Sequence, residues 1–120
     1  MTTVLVIDDS PSEMAKFRDM LARHNFTVLE ATNGEQGCQM AVDHLPDVIL
    51  MDVVMPEMNG FQATRKITRG ETTAHIPVIM ISTKNQETDR VWGKRQGAKE
   101  YMAKPVDENG LVNIIRKVME

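Results

Sequence analysis

A chain of 120 residues, 42% hydrophobic and 26% charged, has the balance of an ordinary globular domain and is too short for two. Its net charge of -3 argues against a nucleic-acid-binding surface, and no apolar run approaches the roughly 18 residues of a membrane helix. The single cysteine, Cys38, excludes an internal disulfide and a cysteine-based metal cage, and the two aspartates after the first apolar run exclude a signal peptide, so a cytoplasmic location is expected.

Residues 4–7 form a continuous apolar, β-branched run, the mark of a strand covered on both faces. Ser10, Pro11 and Glu13 then signal a helix start: a capping serine, a proline at the first helical position and a glutamate able to reach back to the cap. Met14, Phe17 and Leu21 continue that helix at i, i+3, i+7. A second strand is predicted over 27–31. Asn33 caps the next helix, whose apolar stripe is Cys38, Ala41, Val42 and Leu45, and Pro46 lies beyond its end. A third strand covers 48–51. Asn59 caps a third helix that Gly70 follows. A fourth strand covers 78–81.

The fourth helix, over 86–96, is the least regular. Only Val91 and Trp92 in it are large and apolar, and Gly93 in its middle costs about 1 kcal/mol relative to alanine. The expectation is a short, displaced or mobile segment, with Trp92 either packed beneath it or exposed in a partner-binding patch. A weaker fifth strand over 100–103 leads to Asp107, which caps a last helix carrying Leu111, Ile114, Ile115 and Val118. Alternating strands and helices imply βαβ units, hence parallel strands in a single α/β domain over 1–120.

In open parallel sheets, ligands bind outside the carboxyl ends of the strands. Asp8 and Asp9 leave the first strand, Asp52 the third, Ser82 and Thr83 the fourth, and Lys104 followed by Pro105 the fifth. Three carboxylates brought together repel one another, raise each other's pKa or need a cation, and hard oxygen ligands suit Mg²⁺. Lys104 supplies a fixed positive charge and Ser82 a hydroxyl. Such surroundings fit phosphoryl transfer, and a carboxylate at their centre can itself be the nucleophile. Taken singly, an Asp-Asp pair is a polar loop and a Lys-Pro pair a solvated turn. No packing requirement places all of them on one edge.

The segments Val6-Ile7-Asp8-Asp9-Ser10, Leu50-Met51-Asp52-Val53-Val54-Met55-Pro56-Glu57-Met58-Asn59-Gly60, Met80-Ile81-Ser82-Thr83 and Tyr101-Met102-Ala103-Lys104-Pro105 resemble the receiver domains of two-component response regulators. The resemblance runs from Thr3 to Met119. Through residues 83–98 it is strongest to the PilH-type stand-alone receivers of type IV pilus (twitching-motility) chemosensory systems. It implies a CheY-like, flavodoxin-like (βα)5 fold, a doubly wound five-stranded parallel sheet in order 2-1-3-4-5. It implies Asp52 as phosphoacceptor, and Mg²⁺ held by Asp9, Asp52 and the backbone carbonyl of Val54, with Asp8 acting mainly through water on the ion. It implies Lys104 and Ser82 on the phosphoryl group, Tyr101 as an aromatic switch that turns inward when Ser82 moves, and a cis Lys104-Pro105 peptide. The phosphodonor would be a chemosensory histidine kinase. The output would be a motor-associated protein, or the drain of phosphoryl groups from a shared kinase, with no nucleic acid or membrane as partner. Such a protein is a signalling phosphoacceptor that catalyses its own phosphorylation and dephosphorylation rather than a turnover enzyme.

Two other readings compete. An aspartate-nucleophile phosphatase places a second aspartate two residues after the first, where this chain has Val54. A flavodoxin-like flavin-binding module needs a Ser/Thr/Gly-rich phosphate loop after the first strand, where Asp8 and Asp9 would repel a phosphate. Val54 also cannot hydrogen-bond a hydrolytic water, so self-dephosphorylation is expected to be slower than in a Val54→Asn variant. The ten methionines read as adaptable core filling, Cys38 as a buried thiol, and His24, His44 and His75 share no ligand-like spacing.

Overall fold

The computed structural model describes residues 1–120. Its elements are β1 (Thr3–Ile7), α1 (Pro11–Ala22), β2 (Thr27–Ala31), α2 (Gly34–His44), β3 (Val48–Asp52), α3 (Gly60–Thr68), β4 (Val78–Ser82), α4 (Glu87–Arg95), β5 (Glu100–Ala103) and α5 (Glu108–Val118). All strand pairs are parallel, in the order β2-β1-β3-β4-β5. This is the five-stranded, flavodoxin-like architecture expected from the sequence. No helix is long and apolar enough to cross a membrane.

The period of two along each strand divides the core into two layers. Leu5, Ile7, Ile49, Met51, Val78 and Met80 face α2, α3 and α4, where Cys38, Ala41, Ala63 and Ile67 meet them. Val4, Val6, Val48, Leu50, Ile79 and Ile81 face α1 and α5, against Met14, Phe17, Leu21, Leu111 and Ile115. Truncating a fully buried member such as Leu21 to alanine costs about 2–5 kcal/mol. The four capping residues hold as predicted: Ser10, Asn33, Asn59 and Asp107 each accept a backbone hydrogen bond from the residue three positions on, but Glu13 does not reach back to the Ser10 N–H, which donates to Asp8 instead.

Two expectations need correction. Val42 and Leu45 are not on the buried stripe of α2; both are about half exposed, at 51% and 49%. The face that touches the core is made of small residues, Gly34, Gly37, Cys38 and Ala41, so the helix sits close and its contact stripe is narrow. Leu45 then ends the helix in the left-handed region, at φ 45°, and turns outward.

The second correction concerns α4, which is a regular helix. Gly93 is its only buried residue. A Cβ there would lie 2.9 Å from Met80 Sδ and 3.0 Å from Tyr101 Cδ2. The glycine that weakens the helix by propensity is what lets α4 lie against β4 and β5. Trp92 is not packed beneath the segment; it is 49% exposed.

Candidate functional site

The carboxyl edge of the sheet collects the predicted polar residues. Asp8 and Asp52 sit at the ends of β1 and β3, both buried, while Asp9 is exposed. One carboxylate oxygen from each of Asp8, Asp9 and Asp52 lies within 4.8 Å of the other two. Lys104, just past β5, donates from Nζ to Asp8 Oδ2 at 2.9 Å and to Asp52 Oδ1 at 3.3 Å. The Ser10 N–H donates to the other oxygen of Asp8 at 2.9 Å, so the residue that caps α1 also steadies this carboxylate.

The loop after β3 is held by Gly60. Its N–H donates to the Val53 carbonyl at 2.9 Å, and a Cβ there would stand 2.8 Å from Val53 Cα and collide with the Asp52 carbonyl. A side chain at position 60 would force the loop off the strand end that carries Asp52. Asn59 and Gln62 close a reciprocal capping box on α3 beside it.

Burial raises the Asp52 carboxyl well above the usual carboxylate range, to about 6, and the neighbouring Asp8 charge adds to the rise; Lys104 offsets only part of it. For Lys104, burial pulls downward, but the hydrogen bond to Asp8 and the charge of Asp52 outweigh it, so its pKa is raised and the ammonium persists.

Ser82 ends β4 and is fully buried. Its Oγ accepts a hydrogen bond from the Lys84 N–H at 3.1 Å, which leaves its own proton free to donate. The Tyr101 hydroxyl donates to the Lys84 carbonyl, so Ser82 and Tyr101 both bond the backbone of Lys84. Tyr101 is already inward, at 6% exposure. Burial, then Asp89, push its phenol upward. Arg90 locks it there: its guanidinium stacks 5.5 Å from the ring centroid and donates to the Tyr101 carbonyl at 3.1 Å. Nothing in the periodicity of α4 marks Arg90 for this contact. Val54 is exposed beside the site, at 58%, and the Lys104-Pro105 peptide is cis.

Residues 4–116 match the response regulator receiver domain family. The chain belongs to that family. It is 54% identical to the protein PilH of Pseudomonas aeruginosa over 119 residues, covering 99% of this chain and 98% of that one. Among solved structures it is similar to the Vibrio cholerae chemotaxis protein CheY4, at TM-score 0.93 and 28% identity over 98% of each chain. It is also similar to the receiver domain of the Pseudomonas aeruginosa sensor histidine kinase PA1611, at TM-score 0.92 and 27% identity over 98% of this chain and 97% of that one. That structure carries a magnesium ion in its active-site cleft.

Receiver domains are signalling proteins, with a histidine kinase upstream and an effector downstream, and they bind Mg²⁺ at an acidic site. The donor set here fits such an ion. It consists of hard oxygens only, and three carboxylates against one ammonium leave two negative charges for a dication to balance.

Proposed function

We propose that Asp52 accepts a phosphoryl group from a chemosensory-type histidine kinase in a Mg²⁺-dependent reaction, and that the protein works in the cytoplasm in control of type IV pili and twitching motility. The observation that supports this best is Asp52 itself, a buried carboxylate touched by Lys104 and flanked by two further aspartates. The 54% identity to PilH supports the pathway.

In the forward step a carboxylate oxygen of Asp52 attacks the phosphorus of a phosphohistidine. The P–N bond breaks, the imidazole leaves with the electron pair and takes up a proton, and an acyl phosphate remains. Asp8, Asp9, Asp52 and the Val54 carbonyl would hold the ion. The charge on the phosphoryl oxygens would be neutralised by Mg²⁺ bound there. Lys104, already within reach of Asp52, pairs with one phosphoryl oxygen, and the free proton of Ser82 reaches another. Because Ser82 and Tyr101 both bond Lys84, movement of Ser82 loads the segment that holds Tyr101. With Tyr101 inward from the start, phosphorylation would tighten a clamp rather than swing a ring across. Water attack on phosphorus reverses the modification and restores the carboxylate, and Val54 offers that water no hydrogen bond.

The test is exposure to acetyl phosphate and Mg²⁺ with intact-mass detection. Wild type should gain one phosphoryl group and Asp52→Asn none; uptake by the variant would overturn the assignment. Phosphate release should be faster in Val54→Asn than in wild type, and an equal or slower rate would remove Val54 from the hydrolytic step. Mixing the phosphorylated kinase with excess protein separates the two outputs. Rapid loss of label to free phosphate marks a sink, and a persistent label marks a regulator of a motor-associated partner.

A further inference from the structure

Charge is unevenly divided along this chain. Residues 60–99 hold eight Lys and Arg against three Asp and Glu, a balance of +5; the remainder holds six against fourteen, a balance of -8, and together they make the -3. The basic segment runs from α3 to the start of β5. Six of its cations, Arg65, Lys66, Arg69, Lys94, Arg95 and Lys99, are exposed and form no ion pair, whereas most cations elsewhere are paired.

The tertiary structure brings part of this set together. Thr68 at the end of α3 donates through Oγ1 to the carbonyl of Gln96, the C-cap of α4, at 2.6 Å. Arg65 lies one helical turn before Thr68 and Arg69 directly after it, while Trp92 lies one turn before Gln96 and Arg95 directly before it. The Arg95 guanidinium lies 6.0 Å from the centre of the Trp92 ring. Arg90, Val91 and Lys94 line the other side of α4, along Tyr101 and Glu100. The seam between α3 and α4 is therefore a second surface, separate from the one beside β5.

Cations in a last helical turn favour the helix dipole, which accounts for part of the clustering. It does not account for a half-exposed tryptophan stacked on an arginine, nor for Lys99 beyond the helix. Tryptophan and arginine are the residues that dominate binding energy at protein interfaces, and a half-exposed aromatic stacked on one arginine, with further cations along the adjoining helix, suits an acidic partner with an apolar side chain to bury. An overall negative protein repels a long polyanion beyond the reach of a local patch, so a short acidic peptide segment fits better than nucleic acid.

From this we infer that the α3–α4 seam, centred on Trp92, Arg95, Arg65 and Arg69, docks an acidic, leucine-bearing segment of a partner protein. The inference does not use Asp52 and survives whatever becomes of the phosphoacceptor reading.

The experiment is a ¹H–¹⁵N NMR titration of the full chain with a short synthetic peptide of Asp, Glu and Leu. Shifts should concentrate at residues 65–69 and 92–99. Combined Arg65→Glu and Arg95→Glu should weaken binding about tenfold or more. Trp92→Ala should weaken it too, and Arg116→Glu, an unpaired cation on α5, should leave it unchanged. Wild-type-like melting of each variant guards against misfolding. The proposal fails if no shifts arise, if they spread evenly over the surface, or if Arg116→Glu weakens binding as much as the double reversal. It also fails if oligothymidine binds the seam more tightly than the peptide, or if the seam instead mediates self-association that the double reversal abolishes.

Discussion

At the carboxyl edge of the sheet, Lys104 holds Asp8 at 2.9 Å and Asp52 at 3.3 Å; where α1 ends and α5 begins, Arg23 and His24 hold Glu108 at 2.5 Å and 2.9 Å. Both clusters join carboxylate to cation, yet the carboxyl groups shift in opposite directions. Glu108 is pulled down to about 2, by its hydrogen bond to Arg23 first and to His24 second. Asp52 is pushed up to about 6, because burial and the Asp8 charge outweigh Lys104. Proximity to a cation does not decide the state of a carboxylate; solvent and like-charge neighbours do. The surface cluster is relaxed, and the edge cluster is short of positive charge. That shortage suits a site meant to take an ion and then a phosphoryl group.

The comparison breaks most visibly at Lys104. Lys104→Met leaves Asp8 and Asp52 without their ammonium, and in the presence of EDTA should cost about 2–4 kcal/mol in urea unfolding. A cost under about 1 kcal/mol would mean that water already screens the edge cluster as well as the surface one. Asp52→Asn should act in the other direction. Removing a carboxylate that burial and Asp8 disfavour should stabilise the metal-free protein by about 1–3 kcal/mol. It should also abolish the stabilisation that Mg²⁺ gives wild type; a destabilised variant, or one with the Mg²⁺ response intact, would show that Asp52 is not the strained member.

Glu108→Gln should destabilise least, since its cluster is solvated, and added salt should shrink the effect. Its pH dependence has a definite sign. A depressed folded pKa contributes stability that is complete above the ordinary glutamate value of 4.5 and is lost as pH falls toward about 2. The gap in urea midpoint between wild type and Glu108→Gln should therefore be constant at neutral pH and close across that acid window. A gap that opens on acidification would contradict the sign.

Much of this was legible in the residues. Continuous apolar runs marked strands covered on both faces, and Ser10, Asn33, Asn59 and Asp107 marked helix starts that the structure keeps. Asp8, Asp9, Asp52 and Lys104 each follow or end an apolar run, and parallel topology alone sends those ends to one edge. What escaped depends on how closely elements approach. Periodicity counts side chains, so it reads Gly93 as a defect when the missing Cβ is what admits Met80 and Tyr101. It places Val42 and Leu45 on an apolar stripe without knowing that small residues narrow the contact. It gives no sign that Arg90 reaches across from α4 to clamp Tyr101.

The most direct test asks which carboxylate carries the phosphoryl group. Wild-type protein is loaded with acetyl phosphate and Mg²⁺ and then reduced with borohydride, which converts an aspartyl phosphate to homoserine. Peptide mass mapping should find homoserine at position 52 and aspartate unchanged at positions 8 and 9. Homoserine at position 8 or 9, or the hydroxynorvaline that a reduced glutamyl phosphate would leave at position 108, would contradict the claim that the buried, charge-starved carboxylate is the reactive one.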